Sequence, residues 1–278
     1  MKLSIFGDLH ANRTRSLRLL ADLGHRRPTS TRAHWAHPEG AIAAFTGDYV
    51  DGGDENLATI ELVAEIVAGG HGIAVMGNHD FNLLALLTED PESPGTYLRK
   101  RTPENLAQSG AAIAEIEAHP ERGRKALTFL RSLPLWIDLP SLRIAHAHWD
   151  AGAIATLRTA CDASGALTDD GFVKAARKDT DIGRARLLIQ CGPEMECEPF
   201  PDRFGRIRTK RRTDWWEDHH ADGDPRPLFF GHYGMPRPLA PIHGRYVCVD
   251  AGIAHGGRIG AYSHETGKPL DAKRFSYG

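Results

Sequence analysis

The sequence has little cysteine, no long apolar run and no excess of charge of either sign. Four cysteines without CxxC spacing are too few for a disulfide scaffold and fit a reducing compartment. The apolar run at the N-terminus is too short for a signal peptide, and no segment approaches the ~20 apolar residues of a membrane span. With 34 basic and 36 acidic side chains, the net charge of -2 favours neither a nucleic-acid polymer nor a membrane as partner. The remaining composition, 41% hydrophobic and 25% charged, predicts a soluble folded protein, and the sparse cysteines predict a cytoplasmic location.

Strand-like and helix-like patterns alternate along the first part of the chain. Each of three short apolar runs is followed by a glycine, a polar cluster and apolar residues at helical spacing. This order predicts an α/β sheet with parallel crossovers. The expected strands are residues 2–6, 41–46, 72–76, 142–147, 228–231, 246–250 and 259–264, and the expected helices are 14–23, 55–68, 81–87, 105–118 and 124–133.

The second half is predicted to be strand-rich and partly antiparallel. Residues 90–139 have helical spacing and are expected to form a helical insertion that covers the sheet. Residues 151–224 are poorly patterned and are expected to form a basic loop region. Because no repeat or linker divides the chain, we expect a single domain over residues 1–278.

Polar side chains with metal-binding chemistry follow the predicted strands. A glycine at the end of each early strand lets the backbone turn sharply. Ligands bind beyond the carboxyl ends of strands in open α/β sheets, where such side chains converge. Carboxylate, amide and imidazole groups together suit a pair of Mn, Fe or Zn ions better than a structural zinc. The side chains are Asp8, His10, Asp48, Asp51, Asn78, His79, Asp80, His146, His148 and His232.

Each of these residues alone has an ordinary structural explanation. Asp48 and Asn78 could be cap or turn residues, and His146 or His232 could be a hydrogen-bonded core histidine. Chance rarely places five such clusters in order after successive strands. The combined pattern therefore favours a metal site.

The same clusters resemble the ordered signature of the calcineurin-like metallophosphoesterases. The matching segments are GDLH (7–10), GDYVD (47–51), GNHD (77–80), AHAH (145–148) and GHY (231–233). A later segment, VCVDAGIAHGGR (247–258), is similar to the closing hairpin of the phosphoprotein phosphatase branch, which includes bacterial diadenosine tetraphosphatases. The resemblance implies an α/β fold, a four-layer α-β-β-α sandwich of two mixed sheets flanked by helices.

The resemblance also implies a role for each matching residue. It implies two divalent or trivalent metal ions, with Mn expected and Fe, Zn or Ni possible. Two such ions lower the pKa of a bridging water and neutralise phosphoryl oxygens. By this resemblance Asp8 and His10 bind the first metal, Asn78, His146 and His232 bind the second, and Asp48 bridges both. His79 protonates the leaving oxygen, and Asp51 orients His79.

The sequence departs from the family pattern at two positions. At Gly52 the family typically carries an arginine that grips phosphate, and Arg13 and Arg258 are the candidates to replace it. Their structural alternatives are a solvated helix start and hairpin packing. His148 replaces a family glycine; it could line the site beside His146, which aligns best as the ligand, because residues two apart on a strand face the same side.

Two features outside the signature bear on the substrate. The basic run from Arg203 to Arg212 could steer an anionic substrate into the site or form a solvated loop. Trp215 and Trp216 could stack on a nucleobase, although core packing is the safer interpretation of adjacent tryptophans.

Three functions are compatible with these residues. The first is a metal-dependent phosphoesterase that hydrolyses a phosphomonoester by direct attack of a metal-bridging hydroxide, with a phosphorylated protein, nucleotide or small metabolite as substrate. The second is hydrolysis of diadenosine tetraphosphate or a related dinucleotide, which the basic run and the tryptophans favour. The third is a metal-binding scaffold with impaired catalysis, motivated by Gly52 and opposed by the complete ligand set.

Overall fold

A computed structural model describes residues 1–201, 207–217 and 223–278. Within these residues the chain alternates strands and helices as far as α3 and then adds helices and further strands. The elements are β1 (Lys2–Phe6), α1 (Arg13–Asp22), β2 (Ile42–Phe45), α2 (Asn56–Ala68), β3 (Gly72–Ala74), α3 (Asn78–Leu87), α4 (Pro103–Ala118), α5 (Pro120–Arg131), β4 (Trp136–Leu139), β5 (Leu142–Ala145), α6 (Ala151–Arg158), α7 (Asp169–Ala176), α8 (Asp181–Cys191), β6 (Glu194–Pro201), β7 (Ile207–Arg212), β8 (Leu228–Phe230), β9 (Tyr246–Cys248), β10 (Gly260–Glu265) and β11 (Phe275–Tyr277).

Two mixed sheets form the centre of the fold. The first has the strand order β11-β10-β1-β2-β3, with β1, β2 and β3 parallel. The second has the order β4-β5-β8-β9, with β5, β8 and β9 parallel. The remaining described pairs in these sheets are antiparallel, as predicted for part of the second half.

The sheets pack face to face through alternate residues of their strands. Ile5, Ile144 and Phe229 are fully buried in the apolar cluster between the sheets. Residues on the opposite faces, such as Phe45 and Phe230, pack in a larger cluster with the helices. The layers are therefore helix, sheet, sheet, helix, which confirms the predicted α-β-β-α sandwich.

The structure differs from the expected insertion and loop region. Residues 90–139 contain α4 and α5 but end in β4, an edge strand of the second sheet. Residues 151–224 contain α6, α7, α8 and the β6–β7 hairpin rather than a loop. The three helices have 8, 8 and 11 residues and are capped by Asp150, Thr168 and Thr180, whose side chains accept backbone N–H groups three residues later. Such caps can start a helix in a segment whose apolar spacing gives little signal.

The parallel strands carry the functional side chains to one edge of the sandwich. The polar clusters follow the carboxyl ends of β1, β2, β3, β5 and β8, so the two sheets contribute to the same region. None of the helices in the described ranges combines the length and apolar character needed to cross a membrane.

His264 on β10 is predicted to make folding stability depend on pH. The ring is 5% exposed, packs 5.2 Å from Phe229, and has no hydrogen-bond partner among the described residues at either nitrogen. Burial, helped by the charge of Arg274, lowers the pKa of His264 to about 4 from an ordinary 6.5. Between these values the unfolded chain binds more protons, so the free energy of unfolding falls as the pH falls from about 6.5 to about 4.

The replacement His264→Leu, of similar volume, should therefore flatten this pH dependence. We expect the melting temperature of the chelator-treated variant to fall a few degrees less than that of the parent between pH 7 and pH 4.5. Thermal unfolding followed by circular dichroism measures both slopes, and equal slopes would contradict the prediction.

Candidate metal centre and active site

Glycines at the strand ends make room for the site. A Cβ at Gly77 would lie 2.2 Å from Oδ1 of Asp48, and one at Gly231 would lie 2.1 Å from Oδ1 of Asp8. Both contacts are shorter than any normal packing distance. Glycine at these two positions therefore lets backbone approach the functional carboxylates.

Asp48 lies at the centre of the site. Its Oδ1 accepts the N–H of His79 at 2.8 Å. Its Oδ2 lies 3.4 Å from Nε2 of His146 and 3.8 Å from Nε2 of His10. Burial opposes ionisation, but the charges of the imidazoles, His146 first, hold the pKa of Asp48 well below its usual range. Asp48 is therefore an anion that faces two separate groups of side chains.

The first group contains His146, Asn78 and His232. Nδ1 of His146 contacts the carbonyl of Thr46 at 2.7 Å, and its Nε2 faces Oδ1 of Asn78 at 2.9 Å. The rings of His146 and His232 are 5.0 Å apart. Nε2 of His232 has no hydrogen-bond partner in the described part of the chain. Burial opposes protonation of His146, yet the Asp48 charge outweighs it and raises the pKa of that ring to about 10.

The second group contains Asp8 and His10. Nδ1 of His10 contacts the carbonyl of Val50 at 3.1 Å. Its Nε2 is 3.8 Å from Oδ2 of Asp8 and 3.8 Å from Oδ2 of Asp48. Burial raises the pKa of the Asp8 carboxyl well above its usual range. A cation beside Asp8 would favour its ionised form.

The donor atoms fit the requirements of a pair of metal ions. Two buried carboxylates lie beside imidazole nitrogens, and one of these nitrogens has no described partner. A bound cation would replace the protons that these carboxylates and imidazoles otherwise hold. Two sets of three residues each bring their ligand atoms within 4.8 Å of one another, and both sets include Asp48. The first set is His10, Asp48 and His79, and the second is Asp48, His146 and His232.

His79 and Asp51 form a close pair at the rim of the site. Nδ1 of His79 lies 2.7 Å from Oδ2 of Asp51, while its Nε2 lies 4.0 Å from Oδ2 of Asp48. Burial opposes protonation, but the charges of Asp48 and Asp51 raise the pKa of His79. The His79 side chain is 19% exposed and His146 is fully buried. His79 is thus the accessible imidazole, and its distances also allow it to join His10 and Asp48 around a cation.

Asp80 organises the loop that carries Asp48, a role that sequence patterning did not predict. Its carboxylate accepts the N–H groups of Asp48, Tyr49 and Gly77, each at 2.9 Å. Burial, followed by the Asp48 charge, raises the pKa of Asp80 to about 7. The available signal was its place at the third residue of α3, where an acidic side chain reaches back to backbone N–H groups.

Two other buried polar residues support the site from outside the predicted set. Asp250, directly beyond β9, accepts the N–H of Gly234 at 2.6 Å and of Gly252 at 2.8 Å. Gln190 on α8 donates to the carbonyl of Gly77 at 3.1 Å. Asp250 follows the same strand-end pattern as Asp8 and Asp48, whereas Gln190 has no signal in the sequence.

The remaining predicted residues lie around the site. His148 packs 4.6 Å from the ring of Trp215 and belongs to neither set of close ligand atoms in the described chain. Arg13 is half-buried at the start of α1, and Arg258 is exposed beside Ala251. Among the described residues, no hydrogen bond or ion pair joins either guanidinium to the candidate ligands.

Both tryptophans pack in the protein, as their structural interpretation predicts. Trp216 is 3% exposed and stacks on Phe230 with 5.5 Å between ring centroids. Nε1 of Trp215 donates to the carbonyl of Ala147 at 3.1 Å. These contacts do not favour stacking of either ring on a nucleobase.

The described part of the basic run places one arginine at the site. Residues 203–206 of the run lie outside the described residues, and residues 207–212 form β7. Nη1 of Arg212 donates to the carbonyl of His232 at 3.1 Å. Burial and then the Arg212 charge lower the pKa of His232 well below its usual range. Arg212 therefore places a positive charge beside a candidate metal ligand.

Comparisons with known proteins identify the class. The family described as calcineurin-like phosphoesterase matches residues 1–138. The bis(5'-nucleosyl)-tetraphosphatase PrpE [asymmetrical] of Halalkalibacterium halodurans is 34% identical over 270 residues, which cover 94% of this chain and 89% of the relative. The chain belongs to the calcineurin-like phosphoesterase family and is a hydrolase.

A second relative carries a different specificity in its name. The bis(5'-nucleosyl)-tetraphosphatase, symmetrical, of Ralstonia nicotianae is 43% identical over 247 residues, which cover 81% of each chain. Both relatives are thus named as bis(5'-nucleosyl)-tetraphosphatases, one asymmetrical and the other symmetrical.

Solved structures share the fold at low sequence identity. A cold-active protein-tyrosine phosphatase of a psychrophilic Shewanella species has a TM-score of 0.53 and 17% identity, and the match covers 99% of this chain and 80% of that one. A protein serine/threonine phosphatase from Saccharomyces cerevisiae has a TM-score of 0.52 and 13% identity, with 100% and 79% coverage.

Asp48→Asn should weaken metal binding, because Asp48 is shared by both groups of candidate ligands. The amide is neutral and cannot compensate two cations, so we expect manganese affinity to fall at least about tenfold. Elemental analysis after dialysis against manganese measures the metal bound per chain. Asp54→Asn is the matched control, because Asp54 is exposed in the same loop. Equal manganese in both variants would remove Asp48 from the metal site.

Proposed function

We propose that the protein hydrolyses a dinucleoside polyphosphate such as diadenosine tetraphosphate, using two divalent metal ions, with manganese expected. The carrying observation is that two groups of ligand atoms share the anionic Asp48. Two relatives named for this reaction support the substrate, and both are at least 34% identical over more than four-fifths of the chain. We further propose that residues 1–278 act as one domain in the cytoplasm, which the four free cysteines support.

The six predicted ligands carry the metal part of this proposal. When bound, two ions would lower the pKa of water and neutralise charge on the phosphoryl oxygens. The side chains that would hold them are Asp8 and His10 on one side, Asn78, His146 and His232 on the other, and Asp48 between them.

His79 is the proposed proton donor to the leaving oxygen. Asp51, 2.7 Å from Nδ1, fixes the ring and stabilises its charged form. The opposite nitrogen, Nε2, faces the carboxylate at the centre of the site. A proton held at Nε2 is therefore directed at the place where phosphate chemistry occurs.

Arg212 is the proposed phosphate-binding residue in place of the family arginine. Gly52, where that arginine would stand, has a φ of 87°, a left-handed conformation that disfavours any side chain. A guanidinium supplied by β7 avoids this strain. Its bond to the His232 carbonyl places it next to the metal ligands, where a bidentate phosphate contact is possible.

Hydrolysis of a phosphomonoester is the second candidate and is supported at the level of the family. The phosphatases of similar fold are too distant in sequence to favour a particular substrate. The two candidates differ in the leaving group, a nucleotide in one and an alcohol or phenol in the other.

Substrate choice is tested with chelator-treated protein to which manganese is restored. We expect turnover of diadenosine tetraphosphate with a kcat/KM at least about a hundredfold above that for p-nitrophenyl phosphate. Chromatography separates cleavage to two ADP from cleavage to ATP and AMP. A preference for the aryl phosphate would establish the phosphomonoesterase instead, and metal binding without turnover of either would indicate the scaffold.

Arg212→Ala should weaken substrate binding without loss of bound metal. A charged hydrogen bond to phosphate contributes about 1.5–3 kcal/mol, so we expect KM to rise about tenfold to a hundredfold. Arg211→Ala is the control, because Arg211 is next in sequence and side chains of adjacent strand residues face opposite sides. Equal KM values for the two variants would exclude Arg212 as the phosphate anchor.

A further inference from the structure

Helix α4 contacts the proposed proton donor and its partner directly. Oγ of Ser109 donates to Oδ2 of Asp51 at 3.2 Å, and Ser109 is 1% exposed. One residue earlier, Nε2 of Gln108 lies 2.9 Å from Nδ1 of His79. On its other side, Oε1 of Gln108 accepts from Nη2 of Arg99 at 3.2 Å. Two consecutive residues of α4 thus touch the two members of the His79–Asp51 pair.

The same helix holds Asp51 from its backbone side through a second route. Glu115 accepts three donors at the start of α2: the N–H of Asn56 at 3.0 Å, its Nδ2 at 2.8 Å, and the N–H of Leu57 at 2.9 Å. The carboxylate thereby caps α2, whose own N-cap residue makes no side-chain cap bond. Oδ1 of Asn56, fixed in this way, accepts the N–H of Asp51 at 2.9 Å.

Asp51 needs such support because its backbone is in an unfavourable conformation. Its φ is 67°, in the left-handed region that is unfavourable for a residue other than glycine. Strain of this kind persists only where the surroundings hold the residue in place. Ser109 of α4 donates to the Asp51 carboxylate. The Asp51 N–H donates to Asn56, whose side chain is held by Glu115 of α4.

We propose that α4 positions the proton donor of the active site, with Ser109 orienting the Asp51 carboxylate and Glu115 fixing the Asp51 backbone through Asn56. This inference rests on the proposed role of His79. It makes Ser109 and Glu115 positioning residues, since neither touches the candidate metal ligands through a described side-chain bond. Residues 90–139, expected only to cover the sheet, then take part in catalysis.

Loss of acid positioning differs from loss of packing because its effect on the rate depends on the leaving group. A positioned acid matters for a leaving group that departs poorly as an anion and matters little for one that departs well. Loss of positioning should therefore slow phenyl phosphate, whose phenol resembles the tyrosine side chain with a pKa near 10, more than p-nitrophenyl phosphate. The ratio of the two rates is unaffected by the fraction of folded enzyme.

The experiment compares kcat and KM for both aryl phosphates in the manganese-loaded full-length protein. The variants are Ser109→Ala, Glu115→Gln, His79→Ala and the double variant Ser109→Ala/His79→Ala. We expect His79→Ala to raise the kcat ratio of nitrophenyl to phenyl phosphate about a hundredfold. Ser109→Ala and Glu115→Gln should each raise it about tenfold, with KM unchanged. Glu117→Gln is the matched control, because Glu117 is exposed on the same helix.

The double variant separates positioning from a merely structural role. If Ser109 acts through His79, the double variant should have the same ratio and the same rates as His79→Ala. A further loss of rate in the double variant, or equal losses on both substrates in Ser109→Ala, would overturn the proposal. An unchanged ratio in His79→Ala would overturn it together with the role of His79. Failure to cleave diadenosine tetraphosphate would refute only the proposed substrate, since the aryl phosphates report the acid independently.

Discussion

The site depends on one buried negative charge, the carboxylate of Asp48, which is 1% exposed. An unpaired charge at this depth would cost several kcal/mol, so the surroundings must compensate it. Imidazoles from both sheets approach its Oδ2, and Asp80 fixes the backbone on which it stands. The same concentration of carboxylates that is unfavourable without cations is what makes the region suitable for two metal ions. The clustered carboxylates therefore destabilise the fold without metal and favour metal binding.

The sandwich satisfies these demands by joining its two sheets at the site. Nδ1 of His146, beyond β5, contacts the carbonyl of Thr46 beyond β2, and the N–H of His232 contacts the Asp8 carboxylate. Strand ends from separate sheets are thus held at hydrogen-bond distance. Four residues of the site have positive φ: His10, Asp48, Asp51 and His232. Backbone strain is concentrated where the ligand atoms converge and is supported by the rigid strands and helices behind them.

Much of the fold was predictable because the local signals agreed with it. The strand at residues 2–6 and the helix at 56–68 show the expected spacing and end close to the predicted residues. The layers and the mixed sheets were implied by the family resemblance and are confirmed. The sequence did not predict α6, α7, α8 or the β6–β7 hairpin. The helices depend on caps rather than on a long apolar face, and β7 is exposed along its whole length, so neither has strong periodicity.

The sequence by itself identified the candidate ligands, because each stands shortly after a predicted strand and a parallel fold brings such positions together. Tertiary structure alone decided what holds those residues in place. Ser109 and Glu115 reach Asp51 and Asn56 from a helix more than fifty residues away in the chain, and Arg212 reaches the carbonyl of His232 from a hairpin. Such contacts leave no local pattern, since they depend on how distant elements pack and not on the spacing of neighbouring residues.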